Sequence, residues 1–384
     1  MYESLIILGR QPKLSLAELE TLFGADSLKP SDKNYTLLKE NVNKVEFNRL
    51  GGSIKLCKIL TKVDSSDWNI ISEKLLKYIP DQIINIPEGK IKFGISVYGL
   101  KISPKAINAT GLAIKKACKQ KNRSMRVIPN KGLELNSAQI LNNKMTDELG
   151  MELVLAVYGE QTIIAQTTAV QDIDAYAARD QKRPARDARV GMLPPKLAQI
   201  IINLSGAKTG DIVLDPFCGT GVILQESLLM GCYAYGTDIE ARLVDYTRTN
   251  LNWLIGPAEH KLATGDATNY QWNTFDKLAC ETYLGRPFST EPSPDKLREV
   301  IRDIDTIHKK FLKNLASQTK SGFRMCIAVP AWFTKYGIKH LPIIDQLPEL
   351  GYTRMSFVHT SNKDMIYHRE GQIVGRELLV LIRK

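Results

Sequence analysis

At 384 residues the chain is too long for one ordinary core, so two or three domains are expected. It is 43% apolar, yet no run nears the ~20 apolar residues that span a bilayer, and Met1-Tyr2-Glu3-Ser4 lacks the layout of a secretion signal. Six cysteines far apart, with no C-x-x-C, argue against a disulfide framework or metal site and fit a reducing cytoplasm, while 52 Lys and Arg against 41 Asp and Glu leave a net charge of +11.

In chain order, residues 4–8 (SLIIL) predict a strand, and a helix starts at Ser15, with Ser15 as N-cap and Glu18 completing a capping box. Strands follow near 35–38 and 45–48, then a helix around 54–60. This is the rhythm of a small α+β unit. A second unit opens with a helix over 67–78 and a strand over 91–97. Next come a helix over 106–120, a strand at 126–128, a helix from 137 to 143, and a hairpin of 152–157 with 162–168. Between Gly89 and Leu133 stand eleven Lys or Arg and no Asp or Glu. Solvated faces usually mix signs, so this block argues for a polyanionic partner over a merely basic surface. It holds strands and a short helix, which does not suit a membrane surface.

Residues 171–195 are polar, charged and proline-bearing, a linker or functional loop between domains. From Lys196 a βα alternation runs to the end. Helices are expected over 196–204, 221–230, 241–254, 294–317 and 338–350. Strands are expected over 212–216, 234–239, 262–266, 278–283, 324–329, 355–359 and 378–382. The 294–317 helix places Leu297, Val300, Ile301, Ile304, Ile307, Phe311 and Leu315 on one face. Five strands joined by helices and a terminal strand pair describe a Rossmann-like α/β sheet of seven strands, the methyltransferase variant of the doubly wound fold.

The most telling segment is Asp215-Pro216-Phe217-Cys218-Gly219-Thr220-Gly221. A carboxylate at a strand end followed by a glycine turn into a helix is the first crossover of a nucleotide-binding sheet. Glycines there let the backbone approach a ligand that a Cβ would repel. No lysine follows the last glycine, so this is not G-x-x-x-x-G-K-[ST], nor is it G-x-G-x-x-G. An acid at this point suits a cationic, amino-acid-like ligand better than a pyrophosphate, which points to S-adenosylmethionine. A ligand-free turn would also use glycine but has no need of the Asp-Pro-Phe.

Asp215 is assigned to the methionyl part of that cofactor, with Phe217 beside it, Gly219 and Gly221 allowing close approach, and Thr220 helping to cap the helix. Asp238, twenty-three residues on, ends the next strand, where an acid accepts ribose hydroxyls. Ile239 then faces one side of the adenine, and Asp266 with Ala267 takes the adenine amino group, a helix cap or turn being the alternative for Asp266. At 281–284 (ETYL), across from the glycines, Glu281 can accept hydrogen bonds from an exocyclic amine. Tyr283 offers a ring to a flipped base; a packed tyrosine at a plain strand end is the alternative. The five histidines form no cluster, and His308 reads as packing. Arg369, Glu370, Arg376 and Glu377 read as a structural hairpin, substrate contact being the alternative.

With these residues in view the chain resembles the THUMP-domain RNA methyltransferases, in the branch that methylates the N2 amine of guanosine in tRNA, typically at position 10. The likeness is carried by Leu8-Gly9 with residues 14–19 (LSLAEL), by the basic block, by Arg183-Pro184 with residues 192–198 (MLPPKLA), and by 215–221. It implies a ferredoxin-like domain over 1–62, a THUMP RNA-binding domain over 63–170, a linker over 171–193 and a methyltransferase domain over 194–384. It also implies a cytoplasmic monomer that uses S-adenosylmethionine, with no metal and no membrane contact. The tRNA is expected on Lys101, Lys115, Lys116, Lys119, Lys121, Arg123, Arg126, Lys131 and Arg183. The family usually carries Asp-Pro-Pro-Tyr or Asn-Pro-Pro-Tyr where this chain has Glu281-Thr282-Tyr283-Leu284. Both prolines are absent and the aromatic sits one place early, so the turn is either a divergent active form or one whose catalysis has decayed. A DNA amino-methyltransferase and a tRNA-binding module without turnover are the rival readings.

Overall fold

In the computed structural model all residues are described except 188–191, 258–259, 287 and 289, and the side chain of Asn85. Residues 188–191 of the expected linker therefore lie outside the described residues. The chain forms two compact units, one of Met1–Pro12, Asp26–Asn48 and Ser53–Ala175, the other of Lys13–Ala25, Arg49–Gly52 and Tyr176–Lys384.

The first unit is built on a single mixed sheet. Its strands are β1 (Ser4–Leu8), β2 (Leu28–Pro30), β3 (Tyr35–Leu38), β4 (Ser53–Val63), β5 (Ile91–Tyr98), β6 (Met125–Val127), β7 (Gly150–Tyr158) and β8 (Gln161–Val170). They run in the order β2-β3-β1-β4-β8-β7-β5-β6, so the 62/63 boundary expected from the sequence falls inside β4. The helix expected over 54–60 is this strand. Ile54, Ile59, Thr61 and Val63 are β-branched, and β4 is paired on both sides, to β1 and β8. The strand expected at 45–48 is instead replaced by 3-10 turns at Val42–Lys44 and Phe47–Arg49, the first capped by the Asn41 side chain.

Four helices fall in the first 150 residues: α1 (Pro12–Phe23), α2 (Trp68–Gln82), α3 (Pro104–Gln120) and α4 (Ser137–Asn142). The apolar faces of α2 (Ile71, Leu75, Ile79) and α3 (Ile107, Ile114, Cys118) cover Ile91, Phe93, Ile95 and Leu153 of the sheet. A further helix, α5 (Ile173–Gln181), occupies the stretch expected as a linker.

The helix α1 belongs to the second unit except for its first residue, and Ser15 and Glu18 do not form a capping box. They lie inside the helix, and both are buried. The Ser15 hydroxyl donates to the Gly52 carbonyl at 2.6 Å, and the Glu18 carboxylate accepts the N–H groups of Gly51 (2.9 Å) and Gly52 (2.8 Å) and the Asn203 amide (2.8 Å). The helix begins three residues earlier because Pro12 pre-sets the first helical φ, leaving these side chains for a tertiary grip.

The remaining elements of the second unit are α6 (Pro195–Leu204), β9 (Ile212–Asp215), α7 (Val222–Leu229), β10 (Tyr233–Asp238), α8 (Ala241–Ile255), β11 (Lys261–Thr264), β12 (Lys277–Glu281), α9 (Pro294–Ala316), β13 (Arg324–Thr334), β14 (Gly337–Lys339), β15 (Tyr352–Arg354), β16 (Ile366–Tyr367) and β17 (Val374–Arg383). Among the described residues the sheet runs β11-β10-β9-β12-β13-β17-β15, with β14 and β16 as short additions to β13 and β17. Strands β9 to β13 are parallel and β17 is antiparallel. The order reverses between β9 and β12, the switch point where open α/β sheets bind ligands at the carboxyl ends of their strands. Of the expected face of α9, Leu297, Ile304, Phe311 and Leu315 are buried and Val300, Ile301 and Ile307 half-buried, with His308 buried beside them.

Two expectations near the C-terminus do not hold. Residues 338–350 form β14 and a 3-10 turn (Pro342–Gln346), since Pro342 and Pro348 interrupt a helix. Residues 355–359 are not a strand. The N–H groups of Val358 and His359 donate to the Glu20 carboxylate, at 2.7 and 3.0 Å, and the strand is β15 just before them. No helix among the described residues is long and apolar enough to cross a membrane.

Candidate active site

At the carboxyl ends of β9, β10 and β12 three acidic side chains gather. Asp215, 2% exposed, accepts the Phe217 N–H at 3.1 Å. Burial holds its carboxyl well above the usual carboxylate range, and the neighbouring Asp238 and Glu281 push in the same direction. Gly219 and Gly221 both adopt left-handed backbone, with φ of 53° and 84°. A Cβ on Gly221 would lie 2.9 Å from Thr247 Cγ2, and the Thr247 hydroxyl donates to the Gly219 carbonyl at 2.9 Å. The bend is thus tied to α8 from below.

Asp238 completes it. Its carboxylate accepts the Gly219 N–H at 2.9 Å and the Glu240 N–H at 3.0 Å, and burial raises its pKa. Ile239, the next residue, is 66% exposed, an uncovered apolar side chain beside this acid. Asp266 accepts the Thr268 N–H at 2.8 Å, forming a turn, and the carbonyl of buried Ala267 accepts from Asn314. Phe217 packs edge-to-face on Phe311 at 5.0 Å. Thr220 does not cap α7. Gly221 is the N-cap residue, and the Thr220 carbonyl instead accepts the Asn250 amide at 2.8 Å.

At the end of β12, Glu281 forms an ion pair with Arg376 of β17, and the two side chains are only 14% and 7% exposed. Burial raises the Glu281 pKa despite the guanidinium, which acts the other way. Thr282 is fixed below by His308 (2.6 Å), whose Nδ1 contacts the Ile304 carbonyl at 2.8 Å. Burial lowers the His308 pKa to about 4, so the ring is neutral and Nδ1–H donates to Ile304, while Nε2 faces the Thr282 hydroxyl, which also donates toward the Ala328 carbonyl at 2.9 Å. Tyr283 is 44% exposed. The sequence reading left Arg376 in a structural hairpin, but its head group lies in this cluster. The signal for it was a lone charged pair, Arg376-Glu377, at the start of the apolar run Leu378-Leu379-Val380-Leu381. Glu377 points away, to Arg354 (3.0 Å) and His340 (2.5 Å).

Of the residues expected to meet RNA, Lys101, Lys115, Lys116, Lys119, Lys121, Arg126 and Lys131 are exposed. Lys121 pairs with Asp81. Arg123 is half-buried and donates to the carbonyls of Ile86 (2.9 Å) and Pro87 (2.8 Å), which accounts for its place structurally. Arg183 does not fit the expectation of an RNA contact. It is 3% exposed and directs its guanidinium toward Thr220 and the sulfur of Met192.

Residues 182–332 match the family model described as UPF0020: RMKL-like, methyltransferase domain. The tRNA (guanine(10)-N2)-dimethyltransferase of Methanothermobacter thermautotrophicus is 35% identical over 154 residues, 40% of this chain. The match spans 42% of that protein's length. Among solved structures, TrmN from Thermus thermophilus aligns over 100% of both chains with a TM-score of 0.53 and 16% identity. SMU.472, crystallised as a complex with SAH, aligns over 100% of this chain and 98% of its own with a TM-score of 0.52 and 13% identity. At such low identity these two likenesses speak for the fold. The chain has the class I methyltransferase fold, its residues 182–332 match the RMKL-like methyltransferase domain, and over part of its length it is similar in sequence to tRNA (guanine(10)-N2)-dimethyltransferases.

Proposed function

We propose that this chain is a cytoplasmic, monomeric S-adenosylmethionine-dependent methyltransferase acting on the exocyclic N2 amine of a guanosine in tRNA, with a THUMP domain in its N-terminal half. The observation that carries the reading is the cluster of Asp215, Asp238 and Glu281 around a bend whose two glycines adopt left-handed backbone, Gly221 also lying too close to Thr247 for a side chain. The bend fits the cofactor. It offers backbone at close range, and buried carboxylates beside it suit an ammonium and a sulfonium but would repel a phosphate.

In this reading Asp215 holds the ammonium, directly or through water, while Gly219 and Gly221 let the methionyl group lie against the main chain. Asp238 keeps lone pairs for the ribose hydroxyls, since each carboxylate oxygen accepts more than one hydrogen bond. Ile239 and Phe217 supply apolar surface, and Asp266 with the Ala267 main chain meets the adenine. When bound, the cofactor supplies a methyl carbon as electrophile, whose bond to sulfur breaks with the electron pair left on sulfur. Glu281 orients the guanine amine, whose lone pair is delocalised into the ring, and takes the proton that the nitrogen loses. Its raised pKa makes it a better base than an ordinary carboxylate. Tyr283 stacks on the base drawn out of its helix. The exposed lysines of α3, with Lys101, Arg126 and Lys131, hold the tRNA backbone.

The test is calorimetric titration with S-adenosylmethionine, followed by tritiated-methyl transfer to total tRNA and, separately, to plasmid DNA. Transfer to tRNA alone is expected. Transfer to DNA alone, or cofactor binding without any transfer, contradicts the proposal.

A further inference from the structure

Arg376 lies beyond the residues matched by the methyltransferase-domain model, yet its guanidinium enters the acceptor end of the site. Strand β13 separates the two partners. Glu281 aligns with Ala328, and Arg376 aligns with Pro330 on the other edge. The arginine thus reaches across two strand spacings, about 9–10 Å, to place Nε–H on the Glu281 carboxylate. Stability does not explain such a pair, because a buried ion pair is often no better than apolar residues of the same volume. Nor is Glu281 needed to hold Arg376 in an otherwise polar strand, for the following residues, Leu378 to Leu381, are all buried and apolar.

The pair sets a guanidinium, with its several N–H groups, beside a carboxylate. The Watson–Crick edge of guanine carries the matching sequence: O6 accepts, N1–H donates and the N2 amine donates. Adenine carries the reverse at its first two positions, with a donating amine and an accepting N1. We infer that Arg376 is a specificity-determining residue, its guanidinium donating to O6 of the target guanine while the Glu281 carboxylate holds N1–H and the N2 amine. The inference rests on the guanine-amine reading above and says which group enforces it. A site built on such hydrogen bonds rejects a base with the reversed pattern because its own buried polar groups are left unpaired.

The experiment uses the full chain and two tRNA transcripts that differ only at the accepting nucleotide, guanosine in one and 2,6-diaminopurine riboside in the other. Both bases carry the 2-amine, but the second has a donor in place of O6 and no proton on N1. The wild-type protein is expected to prefer guanosine by at least about 100-fold in kcat/KM, and R376M is expected to lower the guanosine rate and reduce that preference to a few-fold. R376K keeps the charge without the planar fork and is expected to lose at least about tenfold of the preference. Binding of the same transcripts to the SAH-loaded protein gives the preference without turnover, and calorimetric cofactor affinity reports whether each variant keeps its fold. An unchanged guanosine preference in R376K with cofactor affinity intact overturns the inference. A wild-type protein that binds neither transcript and methylates no tRNA overturns the functional reading beneath it instead.

Discussion

The carboxylate of Asp238, at the end of β10, accepts the main-chain N–H of Gly219, in the bend that follows β9, at 2.9 Å. One strand end therefore holds the ligand-facing bend of its neighbour, and the same acid is left to meet the ligand. Replacing Asp238 by Ala leaves the Gly219 N–H without its partner and removes the proposed ribose contact together. S-adenosylmethionine affinity is expected to fall at least about 10-fold by calorimetry, since a partly buried donor loses its partner and a fully buried one would cost about 1–3 kcal/mol. Unaltered affinity would show that the bend stands without this acid.

Gly221→Ala tests the bend sterically. The residue sits at φ 84°, and the new methyl would lie 2.9 Å from Thr247 Cγ2. Strain and overlap are expected to cost about 1–3 kcal/mol in denaturant unfolding. Thr247→Ser removes the opposing methyl and should recover part of the loss in the double variant; strictly additive effects would argue that the two residues do not meet.

Asp215→Ala and Tyr283→Ala should separate binding from turnover. The first removes the buried acid beneath the methionyl group, so cofactor affinity is lost. The second removes an exposed ring to which no cofactor contact is assigned, so affinity is expected to be retained while methyl transfer stops. Wild-type turnover in the Tyr283 variant would end its stacking role.

The raised pKa of Asp215 gives cofactor binding a pH dependence with a definite sign. The acid must be ionised to hold an ammonium, and burial keeps it protonated above the ordinary carboxylate range. Affinity is expected to weaken as pH falls through the raised pKa, before the ordinary carboxylate range is reached, by up to about tenfold per pH unit, with proton release on binding at the acidic end. Calorimetry in buffers of differing ionisation enthalpy measures this. Flat affinity and no proton release would place the charge elsewhere.

His308 carries a separate pH signature, in stability. Its pKa is about 4 in the folded chain against 6.5 in the unfolded one, so the unfolded state binds the extra proton between those values. Its contribution is fully present above about pH 6.5 and lost as pH falls through about 4, on the order of 3 kcal/mol in all. The stability difference between wild type and H308Q, from urea unfolding, should shrink by that order between pH 7 and pH 4. A difference independent of pH would mean that the ring is not held neutral.

How legible this was in the sequence differs residue by residue. The 215–221 turn could be read because the requirement is local: a strand, an acid at its end, and glycines where the backbone turns left-handed. The stripe of α9 could be read because helical period and burial coincide. Ser15 and Glu18 misled because a capping box and a tertiary grip on the turn at Gly51 and Gly52 use the same residue types. Strand β4 was misread because its half-buried, bulged path blurs the two-residue alternation. Arg376 reads as a hairpin residue ahead of a substrate contact because its partner stands 95 residues earlier, across an intervening strand, and no local pattern encodes that distance.

The most direct measurement is nucleoside mass spectrometry of tRNA incubated with the full chain and isotopically labelled S-adenosylmethionine. The expected product is guanosine labelled on N2, made by the wild-type protein and absent with Asp215→Ala. Label on the adenosine amine, or no labelled nucleoside from a protein that binds the cofactor, would contradict the account.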